Sequence, residues 1–337
     1  MRTGAIPAGR RTVLSNQRVA LIGGRGYTGS AFLPLLAGHP DLELALASSG
    51  SQAGQPLRQI DPDWPDPEAT LVGLNPEGVA DVDARVWVLA LPNGVSAPWV
   101  AAIGAAHPDA LIVDFGADYR FDADWVYGLS EWNRAALAGA RRVANPGCYA
   151  TGAQFALLPI RDYLTRPPVV FGVSGYSGAG KTPSPRNDPA RLADNLIPYS
   201  LAGHVHEQEI SVHLGRPVRF HPHVAPFFRG LSLTLSVNLS EELAPAALLD
   251  LFCAAYRDAP LIEVTAEIPE IREISGQPGL KIGGFTVDPR QPFRATFVAV
   301  LDNLLKGAAS QALQNINLAL GLDELAGIRL GTADERR

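Results

Sequence analysis

The sequence predicts an α/β protein in two parts: a parallel-sheet domain first, then an α+β domain whose sheet is mostly antiparallel. Three observations predict it. With 337 residues the chain exceeds one comfortable hydrophobic core. As far as Gly147, continuous apolar runs alternate with helix-patterned segments, the texture of βαβ units around a buried parallel sheet. After Cys148 strand-like runs dominate, with fewer helices between them.

In order, Arg18–Ile22 reads as a strand, Ser30–Leu36 as a helix and Leu42–Ala47 as a second strand. Val86–Leu91 and Ala110–Asp114 are two more strands. The later part carries strands at Val169–Ser174, Val218–Phe220, Leu231–Val237 and Ala295–Val300. A glycine-, proline- and serine-rich loop occupies Ser174–Pro189. Pro245–Tyr256 is helical, and a last helix, Gly307–Leu320, is expected to pack back onto the first domain. The expected division is a disordered leader at 1–17, a first domain at 18–147 plus 306–330, and a second at 148–305.

Composition excludes several classes. A hydrophobic content of 47% with 18% charged residues is that of an ordinary globular protein. The net charge of −6 speaks against nucleic acid, which asks for a basic face. No apolar run reaches membrane-spanning length, and Met1–Gln17 lacks the apolar core of a secretory signal, so a cytoplasmic enzyme is expected. Two cysteines, Cys148 and Cys253, form no disulfide framework and fit a reducing compartment. Cys253, within an apolar helix, reads as core packing.

The first strand runs into Gly23-Gly24-Arg25-Gly26-Tyr27-Thr28-Gly29 and then a helix. Glycines at 23, 26 and 29 suit a tight turn that lets a pyrophosphate approach a helix N-terminus, so a dinucleotide cofactor is expected. At the end of the second strand, Ala47-Ser48-Ser49-Gly50-Ser51 offers hydroxyls where NAD enzymes place a carboxylate. That favours NADP, with Ser48 and Ser49 facing its 2′-phosphate.

Asn145-Pro146-Gly147-Cys148-Tyr149 presents a cysteine where a turn enters a helix. Helix dipole and unpaired amides there favour thiolate and stabilise an oxyanion, which suits acyl chemistry. Such a cysteine needs a base. Gly203-His204-Val205-His206-Glu207-Gln208-Glu209 supplies two histidines and two acids around a helix predicted to start near Glu207. A metal site using His213, His221 and His223 competes with this reading, but no zinc spacing accompanies them. Arg120, in Asp114–Arg120 beyond a strand, is a candidate phosphate or carboxylate anchor. Arg229 is a second candidate, with a structural ion pair as its alternative. Gly175–Thr182 has the letters of a P-loop, but Pro183 and Pro185 forbid the helix a P-loop must open. A glycine-rich loop touching cofactor or anion, with Lys181 as a point charge, remains.

Together these segments resemble the N-acetyl-γ-glutamyl-phosphate reductase family of the aspartate-semialdehyde dehydrogenase superfamily. The resemblance also rests on Leu91–Gly94, Tyr127–Glu131, Phe220–His223 with Arg229-Gly230, and Asp302–Ala312 with Gln314–Asn317, and spans roughly residues 18–330. It implies a Rossmann domain closed by the C-terminal helix, and an α+β domain that carries catalysis and builds a homodimer or homotetramer. It implies NADPH-dependent reduction of an N-acetylated acyl phosphate, a small-molecule substrate, in arginine biosynthesis. Cys148 is then the nucleophile, His204 or His206 the acid–base, and Glu209 the neighbour that orients it. Arg120, Asn145, Tyr149 and Lys181 fall on the substrate and phosphate side. Gly23, Arg25, Gly26, Tyr27, Thr28, Gly29, Ser48, Ser49, Pro92, Ser177, Gly178 and Asn303 fall on the cofactor; no metal is implied. Many relatives have an arginine beside the serines matching Ser48 and Ser49, and a histidine at Asn93; this chain has neither. The alternatives are a lysine-pathway reductase of a carrier-bound aminoadipyl phosphate and a non-catalytic NADP-sensing protein.

Overall fold

The computed structural model describes residues 17–330, so the leader expected at 1–17 lies outside it apart from Gln17. The first part contains β1 (Gln17–Ile22), α1 (Tyr27–Ala37), β2 (Leu42–Ser48), β3 (Val86–Leu89), α2 (Ala97–Ala106), β4 (Leu111–Asp114), β5 (Val126–Tyr127), α3 (Ser130–Leu137) and β6 (Arg142–Ala144). The second opens with α4 (Cys148–Leu157) and β7 (Val169–Gly175). It continues through α5 (Pro189–Leu192), β8 (Ile197–Pro198), α6 (Val205–Leu214), β9 (Arg219–Ala225), β10 (Leu231–Asn238) and α7 (Pro245–Ala255). β11 (Ile262–Val264), α8 (Ile271–Ile274), β12 (Leu280–Asp288) and β13 (Gln291–Leu301) follow, and α9 (Ser310–Leu320) closes the chain.

The first sheet is parallel throughout, in the order β2-β1-β3-β4-β6-β5. Strand alternation feeds two cores. Val19, Leu21, Val86, Val88, Leu111 and Val113 face Phe32 and Leu33 of α1 and Leu313 and Ile316 of α9. Ala20, Ile22, Trp87, Leu89 and Ile112 face Ile103 of α2. Both faces being covered is why these strands read as continuous apolar runs. The C-terminal helix packs on this sheet and begins at Ser310 behind a π-helical turn at Leu305–Ala309.

The second sheet is mixed, in the order β11-β12-β13-β10-β7-β9-β8. Its pairings are antiparallel except β7 with β9 and β11 with β12. Leu231, Leu233, Leu235 and Val237 of β10, with Phe297 of β13 and Phe220 of β9, bury one face against α4, α6 and α7. Cys253 corrects its expectation. Leu248, Phe252 and Tyr256 recur at four-residue spacing and point inward, and Cys253, one step further round the helix, is exposed.

Candidate active site

Cys148 is the first residue of α4, reached from β6 through Asn145-Pro146-Gly147. Gly147 is the N-cap in extended conformation, and no side chain caps the helix. Its lack of a Cβ is required: one built there would lie 2.2 Å from His206 Nε2 and 2.7 Å from Arg120 Nη1. Gly307, in the π turn, meets Cys148 closely; a Cβ on it would lie 2.7 Å from Cys148 Cβ. Cys148 is thus packed against Gly307 and lines a cleft of about 550 Å³.

The structure separates the two histidines. His206, Cys148 and Gly147 line the cleft. His204 caps α6 instead, its Nδ1 accepting the His206 amide at 3.1 Å, and α6 begins at Val205, two residues before the expected start. Burial first, then the charges of Arg120 and His204, holds His206 well below the usual histidine pKa, so its imidazole is neutral at pH 7. His206 Nδ1 is buried without a partner among the described residues.

Two electrostatic expectations are corrected. Burial pushes the Cys148 thiol up to about 11, outweighing the amides at the α4 terminus and the Arg120 charge, which act downward. Cys148 therefore rests as a thiol, which needs a base before it can attack. Glu209 does not orient a histidine. It is fully buried and its carboxylate accepts Arg120 Nη1 at 2.9 Å, the Tyr127 hydroxyl at 2.7 Å and the Gly147 amide at 2.9 Å. Arg120 is correspondingly committed. Besides Glu209 it donates from Nε to the Asn145 carbonyl at 3.0 Å and from Nη2 to the Phe115 carbonyl at 2.8 Å. It lines the cleft as a fixed charge beside Cys148 rather than as a free phosphate clamp. Tyr149 is likewise a brace, buried with its hydroxyl donating to the His223 carbonyl at 2.8 Å.

Asn145 lines the cleft and ties its floor together. Its Nδ2 donates to the Ala308 carbonyl at 3.2 Å, and its Oδ1 accepts Asn315 Nδ2 at 3.0 Å. Arg229 takes its structural alternative, an ion pair with buried Asp302 at 2.5 Å. Sequence reading gave no role to Lys306, which is fully buried between Glu131 Oε1 at 2.6 Å and the ring of Phe155. A lysine beside the Gly307-Ala308-Ala309 turn was the only signal for it.

The glycine turn forms the other end of the cleft. Gly23 has φ +90° and lies so close to β3 that a Cβ would reach 2.3 Å from the Ala90 carbonyl oxygen. α1 then opens at Tyr27 with no side-chain cap and no acidic residue in its first turn, which leaves its amides to an anion. Gly23, Arg25, Gly26, Tyr27, Thr28, Ser49, Pro92, Ser177, Gly178 and Asn303 all line the cleft. Ser48 does not; its carbonyl holds the turn by accepting the Gly23 and Gly24 amides. The Ser49 hydroxyl accepts the Gln52 amide at 3.2 Å. Arg25 Nη1 reaches the Ser51 hydroxyl at 3.3 Å, so a cation overhangs the end of β2. Asn303 donates to the Ser177 hydroxyl at 2.9 Å and accepts the Gly230 amide at 2.7 Å.

Lys181 also lines the cleft, 5.0 Å from the Tyr27 ring centre. No helix opens there: β7 leads into a short 3-10 turn and Gly180 at φ +78°, which removes the P-loop reading. Among the described residues no three His, Cys, Asp or Glu side chains converge as metal ligands. Nor is any helix there long and apolar enough to cross a membrane.

The semialdehyde dehydrogenase NAD-binding domain model matches residues 18–140, and the semialdehyde dehydrogenase dimerisation domain model matches 148–303. N-acetyl-gamma-glutamyl-phosphate reductase of Xanthomonas campestris pv. campestris (strain B100) is 50% identical over 310 residues, 92% of this chain and 98% of the relative. The protein of that name from Stenotrophomonas maltophilia (strain R551-3) is also 50% identical, over 92% of this chain and 97% of the relative. Among solved structures, aspartate semialdehyde dehydrogenase II of Vibrio cholerae superposes with a TM-score of 0.74 at 21% identity. It covers 91% of this chain and 99% of its own. The Candida albicans enzyme crystallised with NADP gives 0.67 at 15%, over 90% of this chain and 99% of its own. These two likenesses speak for the fold.

Proposed function

The chain belongs to the N-acetyl-γ-glutamyl-phosphate reductase family, and from that premise we propose that it reduces N-acetyl-γ-glutamyl phosphate to N-acetylglutamate 5-semialdehyde and phosphate, a step of arginine biosynthesis. One observation carries the reading: Cys148 and a neutral His206 share one cleft with an uncapped glycine turn.

His206 takes the Cys148 proton, and the thiolate attacks the acyl carbon. The C–O bond to phosphate breaks, phosphate leaves, and a thioester on Cys148 remains. The charge of Arg120, fixed by Glu209, and the first amides of α4 stabilise the oxygen that becomes negative. The glycine turn Gly23–Gly29 and the uncapped start of α1 would hold NADPH, which when bound would supply hydride to the thioester. The sulfur then departs as the aldehyde carbonyl forms, and His206 returns the proton to the Cys148 thiolate. The residues fit that cofactor: α1 offers free amides for the pyrophosphate. Arg25 over Ser51 supplies the charge for the 2′-phosphate that the serine stretch lacks. Glu131 is already held by Lys306 behind the cleft and does not compete.

The same reading assigns 18–147 plus 306–330 to cofactor binding and 148–305 to catalysis and assembly. The packing of α9 on the parallel sheet supports it. The face of the second sheet opposite α4 leaves Phe171 39% exposed against His223, and a second copy of the chain is its occupant in a homodimer or homotetramer. Light scattering on the purified protein tests the assembly. NADPH formation from N-acetylglutamate 5-semialdehyde, phosphate and NADP tests the reaction. Absence of turnover with that aldehyde, together with turnover of a carrier-bound aminoadipyl substrate, would overturn it.

A further inference from the structure

The substrate assigned above is an anion at both ends. Its phosphate leaves at Cys148, and its α-carboxylate lies at the opposite end of the acyl chain. The cations along the cleft are mostly spent. Arg120 is held by Glu209 and two carbonyls, and Arg25 and Lys181 stand at the glycine-turn end.

Arg186 is different. It lies on the loop between β7 and α5, and among the described residues no carboxylate approaches it within ion-pair distance. The loop is built to present it. Asn187 Oδ1 accepts the Ser184 amide at 2.7 Å, while its Nδ2 donates to the carbonyls of Gly180 and Thr182 at 2.7 and 2.8 Å. That clip directs Lys181 toward Tyr27 and leaves the Arg186 guanidinium 4.9 Å from the centre of the Tyr199 ring. The chain accepts backbone strain to bring Tyr199 there, with Asp194 at φ +52° and Ser200 at φ +43° on either side. From Tyr199 the rings run to the nucleophile without a gap. Tyr199 meets His204 at 5.5 Å between ring centres, His204 meets His206 at 4.8 Å, and His206 meets Tyr149 beside Cys148 at 5.9 Å. The charge of Arg186 is felt at His204, adding to burial in holding its imidazole down to about 4.

We propose that Arg186, seated on Tyr199, binds the α-carboxylate of the substrate and so selects acyl phosphates that carry one. This rests on the substrate reading above. A guanidinium without a carboxylate of its own, half-buried on an aromatic face, offers two parallel donors to a planar anion.

The test is the reverse reaction with NADP and phosphate, comparing N-acetylglutamate 5-semialdehyde with 4-acetamidobutanal, which lacks the carboxylate. Wild-type enzyme should prefer the carboxylated aldehyde in kcat/KM. Arg186→Met should reduce that preference by about 10- to 100-fold, mainly through KM, the range for losing a hydrogen-bonded charge contact. Arg186→Gln serves as a second variant with the same readout should Met fold poorly. A preference in either variant within about threefold of wild type overturns the role of Arg186 and leaves the substrate reading standing. A wild-type enzyme inactive on N-acetylglutamate 5-semialdehyde overturns both.

Discussion

The Glu209 carboxylate accepts the backbone amide of Gly147 at 2.9 Å, so α6 fixes the residue immediately before Cys148. The same carboxylate holds Arg120 and the Tyr127 hydroxyl, and one buried acid thereby joins three separate segments. Its charge also raises the Cys148 pKa. Glu209→Gln should therefore shift the pH midpoint of Cys148 alkylation downward. It should also lower stability by about 2–5 kcal/mol, because Arg120 loses its buried counter-charge. An unchanged midpoint in a folded variant would contradict this arrangement.

The wild-type thiol, pushed up to about 11 by burial, should react slowly with iodoacetamide at pH 7 in the absence of ligands. A raised pKa keeps the proton on sulfur until the pH approaches that value. The rate should thus climb about tenfold per pH unit from 7 to 10. A plateau already reached at pH 7 would show a resting thiolate instead.

The two histidines should part company. His206→Gln should lower kcat by about 10²–10⁴-fold, the usual worth of a general base. His204→Ala removes the α6 cap, at about 1 kcal/mol of stability, and should leave most of kcat. Steady-state kinetics with denaturant melts distinguish them. The reverse pattern would move the acid–base role to His204.

Arg25→Leu should weaken NADPH binding by about 10- to 100-fold while leaving the affinity for NADH nearly unchanged, because only the 2′-phosphate loses its counter-charge. Fluorescence titration of both cofactors without substrate reads this directly. Equal weakening of the two would place Arg25 on the pyrophosphate.

Lys306→Met should destabilise the protein by about 3–5 kcal/mol, since Glu131 is left buried and uncompensated. Lys306→Met combined with Glu131→Leu should recover most of that loss in urea unfolding. Failure to recover would mean that the lysine does more than neutralise Glu131.

Much of this was legible in the chain. β1, β3 and β4 are buried on both faces and announce themselves as unbroken apolar runs. β5 and β8 have two residues each, too few to show a period, and β12 is interrupted by Gly283-Gly284 where its register shifts. Cys253 misled because an apolar helix has an outer side. In the site, Cys148 and the histidine pair could be named from residue type and neighbourhood. The choice of His206 could not, because it depends on which side of the α6 cap faces the cleft. The commitment of Glu209 to Gly147 and Arg120 was hidden for a similar reason: its partners come from other segments of the chain. The thiol pKa was misjudged because a helix terminus is visible in sequence and the depth of burial around it is not.

The central claim is that the acyl group passes through Cys148. Mass spectrometry of peptides from enzyme mixed with N-acetyl-γ-glutamyl phosphate in the absence of NADPH tests it most directly. The account predicts an N-acetylglutamyl thioester on the Cys148 peptide that disappears when NADPH is added. No adduct on that peptide, together with near-wild-type turnover in Cys148→Ser, would contradict it.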